Sequence, residues 1–292
     1  MGSTVPNHSP DHTPAQPSHE ASEPVRRIEL HSADGTRLVA TDRGDGPPVL
    51  IVHGGSSSAS SWEPVAAQLS RRFRVLCLER RGYGVSDPAG PSHSIAAETG
   101  DVLALAASAG APVLLVGHSS GGIVALETAL ASPRTCAGML LYEPPVAVDR
   151  PLGGTALRRA RAALDRGDPD RAMAIHLQRI VGMPRRSVAL MRLVPPVRQM
   201  MRTYAAAQIA DDEAIEALGV GLDRYAGLEV PALLLGGDRS PRHLRDRLDA
   251  LAAVLPRVHA TATLPGQSHM ANLSAPGEVA EIIERFADSV LR

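Results

Sequence analysis

The strongest constraint on the fold is a succession of short apolar runs separated by longer helix-patterned stretches. The runs lie at 49–52, 75–78, 113–116, 138–141, 232–235 and 258–262. Each is too short for a helix. Their Val, Leu and Ile content has the texture of strands buried on both faces. The helical pattern is plainest at the end of the chain, where Val279, Ile282, Ile283, Phe286 and Val290 form one apolar stripe. Ahead of the first run, residues 26–31 and 37–41 alternate around an Asp34-Gly35 turn, which reads as a β-hairpin. Strand–helix alternation of this kind predicts an α/β fold, a mostly parallel sheet of the eight-stranded type flanked by helices.

Two segments depart from the alternation. Residues 1–24 are rich in Pro, Ser and His, with hardly an apolar residue, and predict a disordered tail. They lack the basic start and apolar run of a signal peptide. The irregular spacing of His8, His12 and His19 favours a solvated tail over a metal site. Residues 146–226 contain no convincing strand and read as short helices broken at Gly153-Gly154, Gly167, Gly182, Pro184 and Pro195-Pro196. This helical insert follows the sixth strand and reads as a lid, with residues 25–145 and 227–292 forming the core. Met173, Met183, Met191, Met200 and Met201 fall within it. They are expected mainly as its own core, with a minority facing substrate, since Met packs adaptably around irregular apolar ligands.

Composition removes several classes of function. The formal net charge of the 292 residues is −1, which lacks the electrostatic footprint of a nucleic-acid binder. Every basic residue is Arg, so no mechanism can rest on a Schiff-base lysine. The two cysteines, Cys77 and Cys136, can make neither a disulfide scaffold nor a Cys-rich zinc site, and they suit a reducing cytoplasm. No apolar run approaches the ~20 residues of a membrane span.

The chemistry concentrates at Gly117-His118-Ser119-Ser120-Gly121. This G-x-S-x-G lies where a strand gives way to a helix, which makes Ser119 a candidate nucleophile. A sharp turn lifts the hydroxyl clear of the sheet, and flanking glycines let strand and helix approach. The helix N-terminus favours developing negative charge. A Ser hydroxyl needs a base. His269, between the last strand and the last helix, is placed to swing over the sheet edge. His53 and His118 read as packing or backbone-bonding residues. The turn His53-Gly54-Gly55-Ser56 follows a strand, as an oxyanion donor loop should, although a plain glycine turn has the same pattern. The backbone N–H groups of Gly55 and Ser120 are the expected donors, with Ser56 the neighbouring option to Gly55.

These motifs resemble the α/β-hydrolase fold superfamily from about Val25 to Arg292. They are Ile51-Val52-His53-Gly54-Gly55, Glu79-Arg80-Arg81-Gly82-Tyr83-Gly84-Val85-Ser86-Asp87, the Ser119 turn, and Gly266-Gln267-Ser268-His269. The second is similar to the family's structural R-G-x-G-x-S turn after the fourth strand. The resemblance implies a helical lid after the sixth strand, where the insert lies. With Ser at the nucleophile position, it does not extend to the haloalkane dehalogenases or epoxide hydrolases that use Asp.

The resemblance also implies a triad acid, and here the pattern departs. The family usually carries it after the seventh strand as G-x-x-D followed soon by Pro. In Gly236-Gly237-Asp238-Arg239-Ser240-Pro241 that register gives Ser240, with Asp238 two positions early. Haloalkane dehalogenases place a Glu after the sixth strand instead, at a spacing similar to that of Glu143 from Ser119. Glu143 therefore stands ahead of Asp238. Their alternative roles are a residue capping the start of the insert and a turn residue. The expected function is a serine hydrolase of esters, thioesters or lactones, with an apolar small-molecule acyl substrate and with no cofactor or metal implied. The rivals are a biosynthetic enzyme using the same site for cyclisation, acyl transfer or C–C cleavage, and a catalytically silent ligand-binding protein. Oligomeric state is not legible.

Overall fold

A computed structural model describes residues 1–2, 25–91 and 93–291. The expected tail, including His8, His12 and His19, lies outside the described residues except for its first two. Eight strands form one sheet: β1 Arg26–His31, β2 Arg37–Arg43, β3 Pro48–Val52, β4 Arg74–Glu79, β5 Val113–His118, β6 Cys136–Tyr142, β7 Ala232–Gly237 and β8 Val258–Leu264. Their order is β1-β2-β4-β3-β5-β6-β7-β8. The β1–β2 hairpin and the β2–β4 pair are antiparallel, and all other pairs are parallel. The carboxyl ends of β3 to β8 therefore share one edge, where ligands of open α/β sheets bind.

Strand periodicity distributes the core to both faces. Leu50, Val52, Leu76, Leu78 and Leu115 face a layer containing α2 (Ile95–Ala107), α3 (Ser120–Ala131) and α8 (Arg242–Val254). Val49, Ile51, Val75, Leu114 and Val116 face α1 (Glu63–Leu69) and α10 (Pro276–Val290), whose stripe of Val279, Ile282, Ile283 and Phe286 is buried. The short helix α9 (Ala271–Ser274) precedes α10. Strand β8 differs from the sequence expectation. It is largely exposed because it is the edge of the sheet, which accounts for its sparse Val-His-Ala-Thr-Ala composition.

Between β6 and β7 run α4 (Thr155–Asp165), α5 (Pro169–Ile175), a π-helical turn (His176–Ile180), α6 (Arg185–Leu193) and α7 (Pro195–Ala217). Glu216 of α7 holds the start of this stretch by accepting the backbone N–H groups of Gly153 and Gly154 at 2.8 and 2.7 Å. Met173, Met201 and part-buried Met191 pack together inside it, while Met200 is exposed. These three methionines form part of a small core between α5, α6 and α7. No described helix is long and apolar enough to cross a membrane.

Candidate active site

Ser119 stands directly beyond β5 and is the N-cap of α3, with φ 52° and ψ −125°. Its backbone N–H donates to the Tyr142 carbonyl on β6 at 2.9 Å, so the sheet ladder continues into the turn. The glycines make the turn possible. A Cβ at Gly117 would lie 2.6 Å from the Ala125 Cβ, and one at Gly121 would lie 2.4 Å from the His53 carbonyl oxygen. Strand, turn and helix meet too closely for side chains. Holding a non-glycine residue at this φ costs about 1–3 kcal/mol and persists only where the surroundings over-determine it. Among the described residues the non-glycine residues with positive φ are Ser56, Ser119 and Glu143. All three were singled out by their motifs.

Glu143 follows β6 and is fully buried. Its N–H bonds to the Leu235 carbonyl on β7 at 3.1 Å, and its Oε1 accepts the Gly237 N–H at 2.9 Å. Its Oε2 accepts from His269 Nδ1 at 2.6 Å. An acceptor at Nδ1 fixes the proton of a neutral imidazole there and leaves Nε2 free to act as a base. Asp238 stands differently. Its backbone N–H holds the Leu264 carbonyl at 3.2 Å, its residue is exposed, and the described structure gives its carboxylate no hydrogen bond. Ser240 is buried, with no partner for its hydroxyl among the described residues. Gly236 and Gly237 make room for Glu143 and for the Gln267 backbone. A Cβ on the first would lie 3.2 Å from Glu143 Oε1, and on the second 2.4 Å from the Gln267 carbonyl oxygen.

The loop carrying His269 is clamped by Tyr142, which sequence reasoning passed over, and by His118, which bonds backbone as its position suggested. The Tyr142 hydroxyl donates to the Ser268 carbonyl at 2.5 Å and accepts the Ala271 N–H at 3.0 Å. The His118 Nε2–H donates to the His269 carbonyl at 2.9 Å, and the His118 ring stacks on Tyr142. Burial, reinforced by the repulsion a second positive charge would meet from His269, pushes His118 well below the ordinary histidine pKa and keeps it neutral. His53 is likewise spent on backbone. Its Nδ1–H donates to the Gly54 carbonyl at 2.7 Å, and its Nε2 accepts the Arg80 N–H at 3.2 Å.

Gly54 comes against the candidate nucleophile: a Cβ there would lie 3.0 Å from the Ser119 Cβ. Among the described residues neither the Gly55 N–H nor the Ser120 N–H meets a protein acceptor. Beneath the turn lies a buried polar cluster. Arg80 donates through Nε and Nη2 to Glu98 at 2.6 and 2.7 Å, through Nη2 to Asp211 at 2.8 Å and through Nη1 to the Ser120 hydroxyl at 2.9 Å. Burial opposes ionisation of Asp211, but Arg80, His93 and Tyr83 outweigh it and hold its carboxyl below the usual range. His93, Glu98 and Asp211 also bring three potential metal ligands together. Both carboxylates already face the Arg80 cation, and they raise the pKa of His93 against burial, so that its protonated ring supplies a second positive charge. Burial pushes the thiols of Cys77 and Cys136 up to about 12, which makes them poor nucleophiles.

A family-wide sequence profile described as the alpha/beta hydrolase family matches residues 49–282. An uncharacterized protein of Mycobacterium tuberculosis is 26% identical over 281 residues, covering 88% of this chain and 74% of that protein. Protein phosphatase methylesterase 1 of Mus musculus is 34% identical over 137 residues, covering 44% of this chain and 35% of that protein. Among solved structures, an alpha/beta hydrolase from Sphaerobacter thermophilus superposes with a TM-score of 0.79 at 29% identity, over 89% of this chain and 99% of that one. A thermophilic esterase from Thermogutta terrifontis has the same fold, with a TM-score of 0.71 at 22% identity, over 91% and 100% of the two chains. With an eight-stranded sheet in this order, and with Ser119, Glu143 and His269 all beyond strand carboxyl ends, the chain belongs to the alpha/beta hydrolase family.

Proposed function

We propose that the protein is a serine hydrolase that cleaves a carboxylic ester, thioester or lactone through an acyl-enzyme. The observation that carries this reading is the pairing of His269 Nδ1 with buried Glu143 at 2.6 Å, on the sheet edge that also presents the strained Ser119 turn. Esterases among the fold neighbours and the methylesterase relative support the reaction class. The Ser119 hydroxyl attacks the acyl carbon while its proton passes to His269 Nε2. The carbonyl π pair moves onto oxygen, and the N–H groups of Gly55 and Ser120 stabilise that oxyanion at the N-terminus of α3. Collapse breaks the bond to the leaving group, which takes the proton from His269. A water molecule, deprotonated by the same imidazole, then attacks the acyl-enzyme, and the acid leaves as Ser119 recovers its proton. Glu143 stays ionised throughout and stabilises the imidazolium.

The helices between β6 and β7 act as a lid in this reading. Their aliphatic and Met side chains select an apolar acyl group. The buried, free cysteines fit a reducing cytoplasm. Ser119→Ala should lower hydrolysis of 4-nitrophenyl butyrate by roughly 10³-fold or more, and should abolish labelling by a fluorophosphonate. Wild-type turnover in a clean Ser119→Ala preparation would sink the acyl-enzyme.

A further inference from the structure

The two expected oxyanion donors sit on separate segments, Gly55 in the turn after β3 and Ser120 in the first turn of α3. Both segments are gripped by one helix that belongs to neither. On α7, Gln208 and Asp211 are three residues apart and share a face. They are 5% and 0% exposed, and the neighbouring Asp212 is 3% exposed. Gln208 Oε1 accepts the hydroxyl of Ser56 at 2.8 Å. It also lies against Gly55 so closely that a Cβ there would come within 2.2 Å of it. Gln208 is itself oriented, because its Nε2 donates to Asp212 Oδ1 at 3.0 Å, and Asp212 Oδ2 accepts from His176 Nδ1 at 2.6 Å. The second grip is on the α3 side. Asp211 Oδ2 accepts the Ser120 hydroxyl at 3.2 Å, and Arg80, which donates to that same hydroxyl, is bound to the same carboxylate oxygen. Tyr83 adds a third donor to that oxygen at 2.9 Å.

We propose that α7 is a working part of the oxyanion site, with Gln208 positioning the Gly55 arm through Ser56 and Asp211, together with Arg80, positioning the Ser120 arm. This inference rests on the serine-hydrolase reading. Neither side chain touches the substrate, and each acts through the hydroxyl it holds. The direction of a backbone N–H follows from the φ and ψ of its own turn. Ser56 holds φ 52°, a conformation it leaves readily unless something retains it. The Gln208 hydrogen bond is that restraint. The dependence is asymmetric between ground and transition states. A neutral ester carbonyl tolerates a misaligned donor, whereas a developing oxyanion does not, so loosening either arm lowers kcat and leaves KM nearly unchanged.

The test uses the full chain with 4-nitrophenyl butyrate, a trifluoromethyl ketone that forms a tetrahedral adduct, and active-site titration by fluorophosphonate. Gln208→Met keeps the length of the side chain and removes its hydrogen bonds. Ser56→Ala and Ser120→Ala release the same grips from the other end, keep both backbone donors and remove only a hydroxyl, so the test does not depend on Gln208→Met folding. Each is expected to lower kcat per titrated site by roughly 10–100-fold, less than the 10²–10³ of losing a donor outright, with KM within about threefold. Ketone affinity should fall in parallel with kcat/KM. Combining Ser56→Ala with Gln208→Met should cost no more than the worse single variant. Wild-type kcat per titrated site in the two Ser variants overturns the inference, as does a loss confined to the titratable fraction or an equal weakening of ester and ketone. Those results leave the nucleophile assignment standing, whereas undiminished turnover by Ser119→Ala removes that assignment itself.

Discussion

Glu143 holds φ 46°, where glycine would be at ease, and shows why one of the two candidate carboxylates meets His269 and the other does not. Its two oxygens face two N–H donors, Gly237 and His269. In Glu143→Gln the amide oxygen can satisfy only one of them. With the oxygen toward Gly237, the NH₂ faces His269 Nδ1 and drives the proton to Nε2, where the base is needed. The expected loss is about 10⁴-fold in kcat with an unchanged melting transition. Asp238→Asn, on an exposed carboxylate without a partner among the described residues, should leave kcat within about twofold. Single-variant kinetics on one activated ester would measure both, and the reverse ranking would reassign the acid to Asp238.

At the scale of elements, the candidate site is assembled from strand ends joined by sheet bonds. The ladder passes from β5 to β6 through the Ser119 N–H and from β6 to β7 through the Glu143 N–H, so the proposed nucleophile and acid are fixed to adjacent strands. His269 lies in a loop and depends on side chains instead. Tyr142 supplies two of its restraints, one on each side of the histidine. Tyr142→Phe keeps the ring stacking with His118 and deletes the hydroxyl. Leaving the Ser268 carbonyl and Ala271 N–H without that partner should cost about 1–3 kcal/mol of stability in denaturant titration. A looser imidazole should lower kcat by roughly tenfold. A stability loss with no kinetic effect would restrict Tyr142 to packing.

For the molecule as a whole, the helices between β6 and β7 are not a detachable cover. Leu157 of α4 and Ile209 and Ile215 of α7 belong to the same apolar core as Leu115 and Leu141 of the sheet. Removal of residues 146–226 should therefore give an unfolded chain rather than an open enzyme, as circular dichroism would report. The polar side of this joint is the Arg80 cluster, which ties α2, the turn after β4 and α7 together, and it titrates. Burial works against protonation of His93, but the Asp211 and Glu98 carboxylates outweigh it and raise its pKa. A raised histidine stabilises the fold fully below its unfolded pKa of about 6.5, and the contribution fades as pH rises through the folded value. The melting temperature of the wild type should exceed that of His93→Asn most at about pH 6, with the gap narrowing toward pH 9. A gap that widens with pH would show that His93 is buried neutral. The depressed Asp211 carboxyl acts in the opposite window, stabilising above the ordinary carboxylate range and losing that effect as pH falls through its folded value.

Local signals carried a great deal of this protein. Apolar runs with flanking helical periodicity determined an α/β sheet, because a strand buried on both faces must be apolar throughout and a helix on a sheet must carry one stripe. Ser119, His269, Gly55 and Ser120 stood out as candidates because tight turns admit few residue types, and the glycines around them leave a fixed spacing in the sequence. Glu143 was legible only as one of two carboxylates, since nothing local says which of two strand ends meets a histidine more than a hundred positions away. Tertiary structure decided that, by bringing β6 and β7 side by side and leaving space at Gly236 and Gly237 for one carboxylate. It alone decided the roles of Gln208, Asp211 and Arg80 too. On a helix that reads as a solvated face, three consecutive acids at 211–213 give no sign that two are buried. Their value comes from partners in the turns after β3 and β4 and on α2 and α3, and such partnerships exist only once the chain has closed around them.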